Sequence, residues 1–123
     1  MIVVGVGARA GVSTDALAAA VMAALDEAGV EGLDGTVLAT LDRRAAEPGV
    51  QEFARERRWR LAGFTGAELA GQPVPGAPSA VAAAAVGTPS VAEAAALLAA
   101  GAGAELVLPK RVHGGVTVAI ARG

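Results

Sequence analysis

The stretch Val3-Val4-Gly5-Val6-Gly7-Ala8-Arg9-Ala10-Gly11-Val12-Ser13 constrains the fold more than any other. It begins as an apolar run with apolar residues on both faces, the mark of a buried parallel strand. It then passes through a glycine-rich turn and ends on a serine suited to cap a helix. Leu17, Val21, Leu25 and Ala28 follow at helical spacing, and Gly29 closes the helix. A strand-loop-helix of this kind leaves backbone N–H groups at the helix start, where the macrodipole favours negative charge. Gly5 and Gly7 permit positive φ and close backbone approach, and Arg9 adds a fork that matches carboxylate or phosphate. Two readings stand side by side: a place to hold an anion, or a tight strand-to-helix turn that binds nothing.

The rest of the chain repeats the same grammar. Ile2–Val6 is the first strand, and Glu31–Gly35 is a loop. Thr36–Leu41 is the second strand, running into the charged loop Asp42–Glu47. Pro48 suits the first turn of a helix whose apolar face is Val50, Phe53 and Ala54, with Glu52, Arg55, Glu56 and Arg58 on the solvated side. Trp59 reads as a core anchor. Arg60–Phe64 is a third strand weakened by Gly63, and Thr65-Gly66-Ala67-Glu68 is a capping box. Gly71–Pro78 is an irregular loop, and Ser79–Val86 is helical by propensity. Ser90-Val91-Ala92-Glu93 is a second capping box, opening a helix with a buried stripe of Val91, Ala94, Ala95 and Leu98 that ends before Gly101.

Leu106–Leu108 and Val116–Ala121 read as closing strands. A seven-residue connection, Pro109–Gly115, is too short for a parallel crossover, so this pair is expected to be antiparallel. The order βαβαβα–αα–ββ predicts a single α/β domain over residues 1–123, three layers deep. Helices should cover both faces of a mixed, about five-stranded sheet.

Composition excludes several classes. The 123 residues suffice for one core without disulfides, and the absence of cysteine, with a lone His113, removes thiolate zinc sites. A net charge of -2 with two Phe, one Trp and no Tyr argues against a nucleic-acid partner. The alanine-rich region Ala77–Ala104 is broken by Gly87, Pro89 and Glu93, and Met1–Val6 is too short for a signal sequence, so the chain reads as soluble and cytoplasmic without a membrane partner.

In an open α/β sheet the ligand site lies beyond the carboxyl ends of the parallel strands. Gly7–Ser13, Asp42–Glu47 and Thr65 arrive there, and Lys110 and Arg111 join them if strand four runs the same way. Arg9, Arg43, Lys110 and Arg111 would then give the mouth a preference for a polyanion. Gly5-Val6-Gly7-Ala8-Arg9-Ala10 also satisfies a loose dinucleotide fingerprint. Asp42, however, stands about thirty residues past the glycines rather than about twenty. A Walker-A loop and a nucleophile elbow are excluded because their residues are missing. Asp42 with Glu47 is either an acid/base pair or a solvated charged loop.

Gly5-x-Gly7-x-x-x-Gly11-Val12-Ser13, Ala39-Thr40-Leu41-Asp42 and Glu47-Pro48-Gly49 resemble the first half of the CobE / CbiG C-terminal domain family of cobalamin biosynthesis. The second half agrees through Val86-Gly87-x-Pro89-Ser90-Val91-Ala92-Glu93-Ala94-Ala95-Ala96-Leu97, Leu108-Pro109-Lys110 and Thr117-Val118-Ala119-Ile120-Ala121-Arg122. The blocks fall in family order along nearly the whole chain.

The resemblance implies a role in corrin-ring synthesis, with a precorrin-type tetrapyrrole as ligand and no further cofactor. The larger CbiG proteins resemble hydrolases that open the lactone of cobalt-precorrin-5A and release acetaldehyde. With Met1 directly before the first strand, the chain looks like the free-standing CobE type. The family-like positions are Gly5, Gly7, Gly11, Ser13, Asp42, Glu47, Lys110 and Thr117, and the tandem Arg43-Arg44 departs from the pattern. An enzyme would use Asp42 or Glu47 as general base, with Arg9 and Lys110 on an oxyanion or on the macrocycle carboxylates. A carrier would use the same cations and no base. A nucleotide-binding module, or a structural partner of other cobalamin-pathway enzymes, is the remaining alternative.

Overall fold

The computed structural model describes residues 1–30, 35–74 and 91–123. Its five strands are β1 (Ile2–Gly7), β2 (Val37–Leu41), β3 (Arg60–Phe64), β4 (Glu105–His113) and β5 (Val116–Arg122), in the sheet order β3-β2-β1-β5-β4. β1, β2 and β3 are parallel, β5 is antiparallel to β1, and β4 is antiparallel to β5. Two reversals make β4 run with β1. The sheet therefore presents the carboxyl ends of four strands and the β4–β5 turn along one rim.

Helices α1 (Thr14–Ala28) and α3 (Pro48–Arg57) cover one face, where Val4, Val6, Leu38, Val118 and Ile120 meet Leu17, Val21 and Phe53. Helix α5 (Val91–Ala100) and Leu69 of α4 (Gly66–Ala70) cover the other, over Val3, Val37, Ala39 and Ala121. The alternation Val3/Val4 sends successive side chains to opposite cores, as a strand buried on both faces must. This is the three-layer α/β fold with a mixed sheet that the element order implied.

Local signals act where they were expected. Ser13 caps α1, its Oγ accepting from the Ala16 amide at 3.0 Å, and Gly29 ends the helix at φ 66°. Thr65 and Glu68 form the reciprocal capping box, with bonds of 3.1 and 2.9 Å. Pro48 opens α3. Trp59 stands edge-on to buried Phe53 at 5.6 Å, anchoring the β2–β3 side of the core.

Two expectations need correction. Asp42–Ala45 is not an open loop but a short helix, α2, started by Asp42. The seven-residue connection before the last strand also does not exist. β4 continues through Pro109, Lys110 and Arg111 to His113, and only Gly114–Gly115 turn the chain, at φ 56° and 81°. Both residues have the positive φ that a two-residue hairpin turn demands. Pro109 is accommodated because β4 is an edge strand whose register shifts between Leu108 and Arg111. The antiparallel pairing itself is as expected. The expected helix over Ser79–Val86, most of the loop Glu31–Gly35, the end of the loop Gly71–Pro78 and the cap at Ser90 lie outside the described residues. Among the described residues no helix is long and apolar enough to cross a membrane.

Candidate functional site

The rim is built where β1 parts from its neighbour. The β1–β2 register runs to Gly5 opposite Ala39, and beyond it the buried Thr40 hydroxyl donates to the Val6 carbonyl at 2.7 Å. The loop Ala8–Ser13 then crosses to α1 and leaves a cleft on each side of the sheet. The α5-side cleft, about 360 Å³, is lined by Gly7, Arg9, Ala92, Lys110, Val112 and Thr117 among others. The α1-side cleft, about 380 Å³, is lined by Arg9, Gly11, Ser13, Ala16 and Val116. Arg9 and Gly115 belong to both, so the arginine stands on the ridge between them.

The direction of β4 decides which cations meet. Lys110, the chain's one lysine, enters the α5-side cleft together with Arg9. Both are exposed, and among the described residues neither forms an ion pair. Thr117 joins them from β5, in register with Gly7. Strand alternation sends Arg111 the other way, where its Nε meets Glu27 of α1 at 2.7 Å. Arg43 is exposed on α2 and lines neither cleft, and Arg44 is paired to Glu47. The expected four-cation mouth thus reduces to two.

The glycines divide their work. Gly5 is buried within β1 rather than in the turn. A Cβ there would collide with the Ala92 carbonyl oxygen and approach Ala96 Cβ to 2.9 Å. Its absence of a side chain seats α5 on the sheet, which does not fit the turn glycine of a dinucleotide fingerprint. Gly7 lies on the cleft floor. Only Gly11, at φ 82°, has the left-handed backbone expected of this loop.

Gly11's amide is already occupied: it donates to Glu47 Oε1 at 2.8 Å, and the other Glu47 oxygen accepts from Arg44. The Gly11 amide, above all, holds the Glu47 carboxyl below its ordinary pKa; desolvation opposes it, and the hydrogen bond and charge of Arg44 add to the lowering. Thr14 adds a second tie, donating to Gly49 O at 2.9 Å and approaching Glu52 at 3.2 Å. Ser13 lines the α1-side cleft with its oxygen engaged in the helix cap.

Asp42 is exposed at the end of β2, where its Oδ1 accepts from the Arg43 amide at 2.7 Å. Three strand intervals separate β2 from β4, about 14 Å at a spacing of ~4.8 Å. Asp42 and Lys110 therefore stand toward opposite ends of the rim. His113 is exposed just before the hairpin turn and lines neither cleft.

Sequence reasoning missed Val112, 66% exposed beside Lys110, and the helix start Val91–Ala92. Reading β4 through Pro109 would have found Val112, because residues 110 and 112 then share a face.

A family model described as Cobalamin synthesis G C-terminus matches residues 2–121. Cobalamin biosynthesis protein chiG from Agrobacterium tumefaciens str. C58 is 40% identical, with 99% of this chain and 98% of that one covered at a TM-score of 0.70. CobE, a protein from the cobalamin (vitamin B12) biosynthetic pathway, is 31% identical over 100% and 93% at a TM-score of 0.80. A cobalamin biosynthesis protein G homolog from Sulfolobus solfataricus shares the fold at 21% identity, TM-score 0.69, with 36% of its length covered. No curated protein matches.

Proposed function

Because this chain belongs to the family of cobalamin synthesis G C-terminal domains, we propose that it binds a precorrin-type tetrapyrrole at the rim, with the α5-side cleft as the principal contact. The observation that carries this reading is the composition of that cleft. Arg9 and Lys110, two cations with no ion pair among the described residues, line the cleft together with the apolar side chains of Ala8, Val91 and Val112 and with Thr117. A ligand complementary to it has an apolar body and anionic groups on its periphery. A macrocycle bearing acetate and propionate side chains has both. Arg9, shared by the two clefts, would reach carboxylates on either side of the ridge.

Binding and transfer fit the site better than bond cleavage. The described lining of the α5-side cleft contains no carboxylate and no imidazole. Glu47 is engaged by Gly11 and Arg44 and held ionised, so it braces the loop rather than accepting a proton. A hydrolytic version of the site would rest on Asp42, whose Oδ1 is the oxygen engaged by the Arg43 amide.

An absorbance titration of the purified chain with hydrogenobyrinic acid, at low and high salt, tests the proposal. A saturable, salt-sensitive shift of the tetrapyrrole bands is expected, with NADPH giving no saturable response. No shift at tens of micromolar would overturn it. An Asp42→Asn variant that keeps the shift and the transfer of ligand supports a carrier. One that keeps binding but loses turnover establishes the hydrolase.

A further inference from the structure

We infer that Glu93 is the positioning residue that sets Lys110 in the cleft, an inference that rests, for its ligand-binding consequence, on the reading just given. Between the pairs Leu108↔Ile120 and Arg111↔Val118, β4 carries Pro109 and Lys110 opposite Ala119 alone. This is a bulge, which leaves one residue out of the ladder and re-aims side chains. Pro109 has no N–H, and the Lys110 amide donates instead to Glu93 Oε2 at 3.2 Å, across 17 residues of sequence. The acceptor comes from the first turn of α5, and Glu93 is only 8% exposed.

Its place there depends on the sheet. Gly5 lets Ala92 and Ala96 settle directly on β1, bringing the first turn of α5 within reach of β4. The carboxylate thus takes over the role of a sheet acceptor where the ladder is interrupted. Fixing the Lys110 backbone fixes the direction in which its side chain leaves the strand. Lys110 then enters the cleft with Val112, while Arg111 turns to Glu27 on the opposite face. Glu93 does not line the cleft itself and acts through Lys110.

Lys110 being the sole lysine, reductive 13C-dimethylation labels it alone besides the N-terminus. The test compares Glu93→Ala, Glu93→Gln, Lys110→Ala and the Glu93→Ala/Lys110→Ala pair. It reads Lys110 amide hydrogen exchange, the dimethyl-lysine NMR signal and affinity for hydrogenobyrinic acid. Glu93→Ala should accelerate exchange of the Lys110 amide about tenfold or more, shift the dimethyl-lysine signal and weaken probe binding several-fold, on the scale of one charge-assisted hydrogen bond. Glu93→Gln keeps a carbonyl acceptor and should stay within about twofold of the parent in binding. On the Lys110→Ala background, Glu93→Ala should cost no further affinity.

Unchanged Lys110 exchange in a folded Glu93→Ala variant would overturn the inference, as would an equal affinity loss on both backgrounds. If the parent chain binds no probe, the functional reading fails. The exchange and dimethyl-lysine signals still decide whether Glu93 holds Lys110. If Glu93→Ala does not fold, Glu93→Met, which keeps the length of the stem without an oxygen acceptor, carries those two readouts: faster Lys110 exchange with a shifted lysine signal supports the inference, and unchanged exchange overturns it.

Discussion

Glu47 Oε1 accepts the Gly11 amide at 2.8 Å, so a carboxylate from the start of α3 closes the loop between β1 and α1. The anion-accepting turn written in the glycines is real as backbone chemistry, and at Gly11 its anion belongs to the chain itself. What remains for a ligand is the ridge beyond it, where Arg9 stands between two clefts.

That brace makes stability depend on acid. The folded pKa of Glu47 is lowered, chiefly by the Gly11 amide, so its contribution is present above the ordinary glutamate value of 4.5. It is lost as pH falls from there through the lowered folded value. Thermal unfolding across pH 7 to 3 should show a drop in this window that is smaller in Glu47→Gln. Identical pH profiles for the two proteins would contradict the brace.

Gly5→Ala places a methyl group against the Ala92 carbonyl and the Ala96 side chain. Both are parts of a helix seated on the sheet, so neither moves alone. The expected cost is about 2–3 kcal/mol, at the upper end for core overpacking, and urea unfolding measures it. The same change at Gly7 meets nothing nearer than Val91 Cβ at 3.5 Å and should cost well under half as much.

Thr40→Val removes the buried hydroxyl that holds the Val6 carbonyl where β1 and β2 separate. The carbonyl loses its 2.7 Å donor in a dry environment. A loss of about 1–2 kcal/mol in denaturant unfolding is expected. A variant as stable as the parent would show that the rim does not depend on this tie.

These contacts explain what could be read from the sequence and what could not. Ser13, Gly29, Pro48 and the Thr65–Glu68 box act within three or four residues of themselves, so the element boundaries around them follow from local chemistry. The register of β4 depends on β5 and on a bulge around Pro109, where a proline signals a break unless the strand is known to be an edge. Glu93 reads in sequence as the acid of a capping box whose cap lies outside the described residues, and nothing local announces that its carboxylate accepts the Lys110 amide. Glu47 and Gly11 lie 36 residues apart, and Gly5 serves α5 rather than its own turn. Partners that distant are fixed by tertiary packing alone.

Arg9→Ala and Lys110→Ala each remove a cation that has no ion pair among the described residues. Each should leave stability within about 0.5 kcal/mol. Each should weaken hydrogenobyrinic acid binding several-fold and flatten its salt dependence. Arg111→Ala, which removes the partner of Glu27 on the other face, should leave affinity nearly unchanged in absorbance titrations.

The most direct test of the central claim is where the ligand lands. Titration of 15N-labelled protein with hydrogenobyrinic acid, followed by amide chemical shifts, should perturb Gly7, Arg9, Ala92, Lys110, Val112 and Thr117 together at one saturating concentration. Residues at the far ends of the same strands, such as Ile2 and Gly123, should stay fixed. Shifts clustered away from the β1 loop and β4, or no saturable shifts at all, would contradict the assignment of this rim as a tetrapyrrole site.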